Sequence, residues 1–307
     1  MRCIPSVLLF ATFLLSSSLT AQLQMRGLEL GGWLGSSYYL GDLNTEFRLN
    51  HPNLAGGLMA RYNFNHRIAI RGGLNYGAVE AYDSESENTF ERIRNLSFRT
   101  RFTELSGQFE FNFLPYYHGS REYFFTPYAF VGFSVFHYVP KAETDGGDWV
   151  NLRPLGTEGQ RQGERYSPFG LALGYGVGIR WDLSYAWSMD VHLSLRNTNT
   201  DYLDDVSTIY PDPLELRAQN GDVAFFLSDR SRPSDTGGER INRAGTQRGD
   251  ATVNDRYFFL GVGVNYYFGD VICPTVMKSK KVRRRAKRAG KKRAKEQAGY
   301  RRARGVR

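Results

Sequence analysis

The chain has 307 residues, 41% of them hydrophobic, with 40 Lys plus Arg, 31 Asp plus Glu and two cysteines. That suffices for one large domain or two small ones and excludes a fold held by a disulfide framework. The formal charge of +9 is concentrated: Lys278 to Arg307 holds 16 basic residues and one acid, leaving 24 basic and 30 acidic residues before it, which excludes a uniformly basic nucleic-acid-binding domain.

Residues 1–21 read as an export signal. Arg2 supplies the positive start, Val7 to Leu15 the apolar stretch and Leu19-Thr20-Ala21 a small-residue cleavage site. The apolar run is shorter than the ~20 residues a spanning helix needs. Cys3 lies before that run, which argues against a lipoprotein. Cleavage after Ala21 would leave Cys273 without a partner in the chain.

From residue 22 to 270 the pattern is period two, in segments rich in Gly, Tyr and Phe and about as long as a membrane-spanning strand. Eight such segments follow in chain order. The first is Leu28 to Leu40. The second, "NLAGGLMARYNF", aligns Leu54, Leu58, Ala60, Tyr62 and Phe64; the third, "RIAIRGGLNYG", aligns Ile68, Ile70, Leu74 and Tyr76. Phe102 to Phe113 forms the fourth, and the largely apolar "TPYAFVGFSVFHYV" the fifth. "FGLALGYGVGIRW" is the sixth, its glycines being strand glycines because no helix follows. The seventh alternates Met189, Val191, Leu193 and Leu195 with Asp190, His192, Ser194 and Arg196, and the eighth is "RYFFLGVGVNYYF".

Connections after the even-numbered segments are short, and those after the odd-numbered ones are long, above all the segment from Asp201 to Asp255. The expected fold is therefore all-β, an eight-stranded antiparallel transmembrane barrel of the outer-membrane type with long extracellular loops. Trp33, Tyr38, Tyr39, Tyr62, Phe64, Phe113, Tyr116, Tyr138, Trp181, Trp187, Tyr257, Tyr267 and Phe268 are the expected aromatic girdles against outer-membrane lipid.

Strand parity places Glu29, Arg61, Arg71, Glu104, Gln108, Glu110, Arg180, Asp190, His192 and Arg196 on the inner face. A barrel of eight strands is filled by its own side chains. Buried charges are tolerated when paired, so an interior charge network is expected in place of a pore. His192 and Ser194 share that face, as the base and nucleophile of an outer-membrane lipid-modifying hydrolase would, but they point away from lipid. No catalytic residue, cofactor or metal is therefore assigned, and the chain reads as a non-enzyme. Asp201, Asp204 and Asp205 lack EF-hand spacing and are expected to cap backbone N–H groups in a turn. Ala218 to Asp250, polar and Gly-rich outside "VAFFL", is expected to be a mobile loop.

Residues 271–307 form the basic tail, with Lys280, Lys281, Arg283, Arg284, Arg285, Lys287, Arg288, Lys291, Lys292 and Arg293 as its candidate partner-binding residues. Eight strands after a cleaved signal put this tail in the periplasm, away from genomic DNA. Its expected targets are anionic: a protein face, peptidoglycan or lipid headgroups. Free, its like charges keep it disordered.

"SSYYLGDLN", "TPYAFVGFSVFHYVPKA", "LRPLGTEGQ" and "TDYLDDVSTIYPDP", spread over the body, together resemble the PorG-like outer-membrane barrels of Bacteroidetes. The resemblance implies a non-catalytic scaffold of the type IX, gliding-associated protein secretion machinery, which anchors a periplasmic ring of PorK-like and PorN-like proteins. A lipid-modifying hydrolase and a surface adhesin acting through the long loops are the alternatives.

Overall fold

The computed structural model describes residues 26–231 and 244–269. The predicted signal, Cys273 and every candidate residue of the basic tail lie outside the described residues, as do residues 232–243.

Eight strands close on themselves: β1 (Gly27–Leu40), β2 (Asn53–Asn63), β3 (Ile68–Tyr82), β4 (Ser97–Asn112), β5 (Phe125–Glu143), β7 (Phe169–Asp182), β8 (Trp187–Thr198) and β9 (Arg256–Tyr267). Each pairs antiparallel with its neighbour, and β9 returns to β1 with Tyr267 opposite Glu29 and Arg256 opposite Leu40. Closure leaves the barrel no open edge of unpaired backbone, a requirement for backbone that crosses hydrocarbon. Among the described residues no helix is long and apolar enough to cross a membrane. The fold is a closed eight-stranded antiparallel barrel of the outer-membrane type.

Why these segments form these strands follows from their alternation. On β2, Leu54 and Leu58 are 79% and 68% exposed, while Ala55, Met59, Arg61 and Asn63 on the opposite face are buried. Leu105 and Phe109 of β4, Phe133 of β5 and Leu171 and Val177 of β7 continue the outer apolar face. A continuous apolar exterior of this kind has lipid as its solvent.

Three strands run farther than their sequence pattern predicts. β3, β4 and β5 have 15, 16 and 19 residues, where a spanning strand needs roughly 9–11. The excess lies at the end carrying the long loops. There β5 also pairs with the short β6 (Trp149–Asn151), which the period-two pattern did not reveal. Beyond the apolar band the outer face no longer needs hydrocarbon-compatible residues, so Arg99 and Glu80 pair there and the alternation disappears from the sequence.

The aromatic girdle is partly corrected. Tyr62, Phe64, Phe113, Trp187 and Phe268 are exposed and ring the short-turn end, with Tyr123, Phe124 and Tyr185 beside them. Trp33, Tyr39, Tyr116, Tyr138, Tyr257 and Tyr267 are buried instead. All but Tyr116 point inward from strands, where they fill the lumen. With Phe98, Phe102, Phe136 and Phe259, four of them (Trp33, Tyr39, Tyr138 and Tyr257) contribute to the main apolar core, in the long-loop half of the barrel, while Tyr267 lies at the short-turn end.

The loop region from Ala218 to Asp250 is also corrected where it is described. The end of α2 (Pro213–Asn220) and all of α3 (Asp222–Ser228) lie there, and Ala224 and Leu227 are buried, as is Leu216 just before that region. α2 starts where Asp212 accepts hydrogen bonds from Leu214 N and Glu215 N with Pro213 in the first turn, a start signal present in the sequence but weighed there only as loop. α1 (Thr89–Arg94) follows the same logic, with Asn88 as its cap and Glu91 three residues on.

Candidate functional site

The interior is built in layers. Nearest the short turns, Arg61 donates from Nη1 to Glu29 Oε2 at 2.7 Å and from Nε to Glu110 Oε2 at 2.7 Å. Glu110 also receives Arg180 Nη2 at 2.7 Å and lies 3.1 Å from Arg71 Nε. One carboxylate thus gathers three guanidinium groups, and Arg71 donates further to Gln108. Arg180 stacks over the Tyr128 ring at 4.7 Å. Higher up, Glu104 accepts from Arg196 at 2.9 Å, Tyr257 at 2.6 Å and Asn75 at 2.8 Å, while Asn75 accepts from Trp33 at 2.9 Å.

Every residue assigned to the lumen by strand parity is buried there. Asp190 is the loosest member, 3.9 Å from Arg61 and 3.9 Å from His192, with no hydrogen bond to either. Two inward glycines of β7 make this filling possible. A Cβ at Gly178 would meet the Tyr128 ring, and one at Gly174 the Arg196 guanidinium. The cavity lined by Trp33, Met59, Arg71, His192 and Arg196 measures about 20 Å³, room for a single water and no aqueous path.

His192 and Ser194 sit inside this filling. Arg196 donates to the Ser194 hydroxyl, and His192 packs edge-on against Trp33 with ring centroids 5.2 Å apart. Neither faces the lipid-exposed exterior.

At the short-turn end the β4–β5 connection folds inward as a plug. His118 is buried, with Nε2 3.1 Å from Glu29 Oε1 and Nδ1 3.0 Å from Asp182 Oδ1, and it stacks on Tyr267 at 4.3 Å. Asp182 also accepts from Tyr116 Oη and from Gly119 N. Burial alone would push the imidazole pKa down, but hydrogen bonds to Asp182 and Glu29 outweigh it and hold the pKa above its ordinary value. Sequence reasoning missed this plug. A single His in a turn has no periodicity to give it away.

At the opposite end the long loops pack into a platform. The Tyr39 hydroxyl lies 2.6 Å from both Asp204 Oδ2 and Asp255 Oδ1. A phenol carries one proton, so it can donate to one carboxylate only, and the second contact needs a proton on the other. Burial, with Asp42 adding to it, pushes Asp255 up to about 8 against the hydrogen bonds it accepts from Tyr39 and Leu203. Asp204 is raised well above the carboxylate range by burial and by Asp255. The expected turn is present where Asp204 Oδ1 accepts from Val206 N at 2.9 Å. Asp205 differs, because it accepts from the Thr157 and Tyr166 hydroxyls at 2.5 Å each, joining two loops instead of capping one. Asp201 is buried beside Asp255. Two arginines pin the platform: Arg248 donates to Glu158 at 2.9 Å and to the Asp205 carbonyl, and Arg94 to Asp83 and to the carbonyls of Arg248 and Asp42. Among the described residues no group of three or more His, Cys, Asp or Glu side chains is placed to hold a metal ion.

The family DUF6089, described as a domain of unknown function, matches residues 6–220. The chain belongs to this family. In DUF6089 terms the match takes in β1 to β8 and the first half of the platform. No curated protein matches the sequence. Among solved structures the chain is similar to the attachment invasion locus protein Ail of Yersinia pestis in complex with the heparin analogue sucrose octasulfate (TM-score 0.36, 9% identity, 79% of this chain and 97% of that one). It is likewise similar to Neisserial surface protein A (TM-score 0.39, 12% identity, 79% and 97%) and to the outer membrane protein OprG of Pseudomonas aeruginosa (TM-score 0.39, 11% identity, 80% and 98%).

Proposed function

We propose that this DUF6089 barrel is a non-catalytic outer-membrane scaffold that works through its two ends. Its short turns and the basic segment after β9 face the periplasm, where they hold a ring of PorK-like and PorN-like proteins of a type IX secretion machine. The observation that carries the reading is the filled lumen: paired charges, an aromatic core and an inserted turn leave no route for a solute, so function falls to the surfaces. The concentration of basic residues from Lys278 to Arg307 suits an acidic protein face or peptidoglycan, and attraction of that kind is screened by salt.

The test is a crosslinking pull-down from membranes, comparing the full chain with one ending at Gly269. Recovery of a periplasmic lipoprotein ring, weakened by truncation and by salt, is the expected result. Recovery unaffected by truncation would move the contact to the short turns. If neither form brings down a periplasmic protein, the scaffold reading fails. An adhesin is the second reading, favoured by the pinned architecture of the long loops.

A further inference from the structure

The outer wall of the barrel is grooved toward the long-loop end. The ladder joining β2 to β3 ends with Gly56 opposite Tyr76, although β2 starts at Asn53 and β3 runs on to Tyr82. Beyond that pair β2 stays with β1, Leu54 opposite Ser36, and β3 stays with β4, Ala78 opposite Arg101. The two strands part, and a groove of about 490 Å³ opens between them. Leu34, Leu54 and Tyr76 form its sides and belong to the exposed apolar face. Its floor is made of small residues. A Cβ at Gly56 would meet Leu34 Cδ2 at 2.8 Å and the Trp33 carbonyl at 2.9 Å, and Ala78 is 7% exposed although strand parity turns it outward.

The rim of this groove is cationic. Arg99 and Arg101 reach it from the outward face of β4, and Lys141 of β5 stands opposite Arg99. Glu80 lies 3.6 Å from Arg99 and 3.7 Å from His51, so it offsets part of that charge. Arg101 is exposed and has no hydrogen-bond or ion-pair partner among the described residues. Its aliphatic stem can follow the apolar wall while its guanidinium reaches headgroup level, where it is available to an anion.

From an apolar groove that ends under two arginines at the edge of the lipid-facing band, we propose that this wall binds a phosphorylated lipid of the leaflet on the long-loop side. One acyl chain lies in the groove between Leu54 and Tyr76. The phosphate is held by Arg101, with Arg99 and Lys141 adding attraction. Both halves of the site are needed to select this occupant. A soluble anion would leave the apolar sides unfilled, and a lipid without net charge would leave Arg101 uncompensated. The basic residues after β9 attract anions as well, so the test has to be resolved by position.

The test is photocrosslinking of the full-length protein in phosphatidylcholine vesicles. Traces of phosphatidic acid or of phosphatidylcholine carry the same diazirine on one acyl chain, and the labelled peptides are mapped by mass spectrometry. Peptides covering residues 32–36, 53–58 and 74–80 are expected to be labelled preferentially by phosphatidic acid. That preference is expected to fall about fivefold in Arg101→Gln, the partition expected of one cation at an anionic surface, and to be largely kept in Arg101→Lys. Arg101 is exposed, so both variants are expected to keep the heat-modifiable migration of the barrel. Label from both probes spread evenly round the wall, phosphatidic acid label confined to residues after β9, or a preference unchanged in Arg101→Gln would each overturn the proposal.

Discussion

At the scale of single residues, Glu110 is the most consequential interior group. It holds three guanidinium groups within 3.1 Å or less in a lumen filled by side chains. Removing one partner of a buried ionic network leaves the others uncompensated, at a cost of about 3–5 kcal/mol. Glu110→Gln is therefore expected to lower the free energy of urea unfolding in lipid vesicles by that much, read by tryptophan fluorescence. Glu122→Gln, at an exposed turn position, is expected to change it by less than about 0.5 kcal/mol. A midpoint for Glu110→Gln equal to the parent's would mean the network carries no net stability. Glu110 and its partners were legible in the sequence because a strand has period two, so every charge opposite Leu105 or Phe109 had to point inward. Which charge pairs with which was not legible, since Glu110 meets Arg180 across the lumen through strand tilt and side-chain length, not through sequence spacing.

At the scale of elements, the β4–β5 connection differs most from its sequence pattern. "PYYHGSREY" reads as a polar turn, yet it buries Tyr116 and His118 under the barrel. Because the His118 pKa is raised in the folded protein, its stabilising contribution is fully present below the unfolded value of 6.5 and is lost as pH rises through the higher folded value. Trypsin cleavage at the exposed Arg121 is accordingly expected to be slow at pH 6 and faster at pH 9, while His118→Ala is cut quickly at both. A parent rate independent of pH would show that the turn does not depend on the charged imidazole. The helices show a different kind of illegibility. Asp212-Pro213 and Asn88 with Glu91 are ordinary start signals, but α2 and α1 have 8 and 6 residues, too short for apolar periodicity to rise above the loop around them.

At the scale of the whole molecule, both ends of the barrel hold protons that the unfolded chain would release. His118 closes one end, and Tyr39, Asp204 and Asp255 tie the loops at the other. The sign is the same for both. An acid whose folded pKa is raised, like Asp255 at about 8 from an ordinary 3.8, favours folding fully below the ordinary value and loses that contribution as pH climbs to the folded one. Asp205, raised by burial to about 6 in spite of Arg248, adds to the loss over the lower part of that window. Besides its interior charge network, the barrel wall between the two ends rests on backbone pairing and apolar burial, neither of which titrates. Alkalinisation should thus loosen the ends before the wall. Hydrogen exchange of the full-length protein in lipid, corrected for the intrinsic pH dependence of exchange, is expected to show protection of residues 200–211 and 244–255 declining from pH 5 to pH 9 while β2 and β7 keep theirs. Tyr39→Phe, which removes the shared hydroxyl proton, is expected to bring much of that loss down to pH 5. Uniform loss across strands and loops would instead make the platform part of one cooperative unit with the barrel, and the carboxylate pair would then bear on global stability rather than on the loops alone.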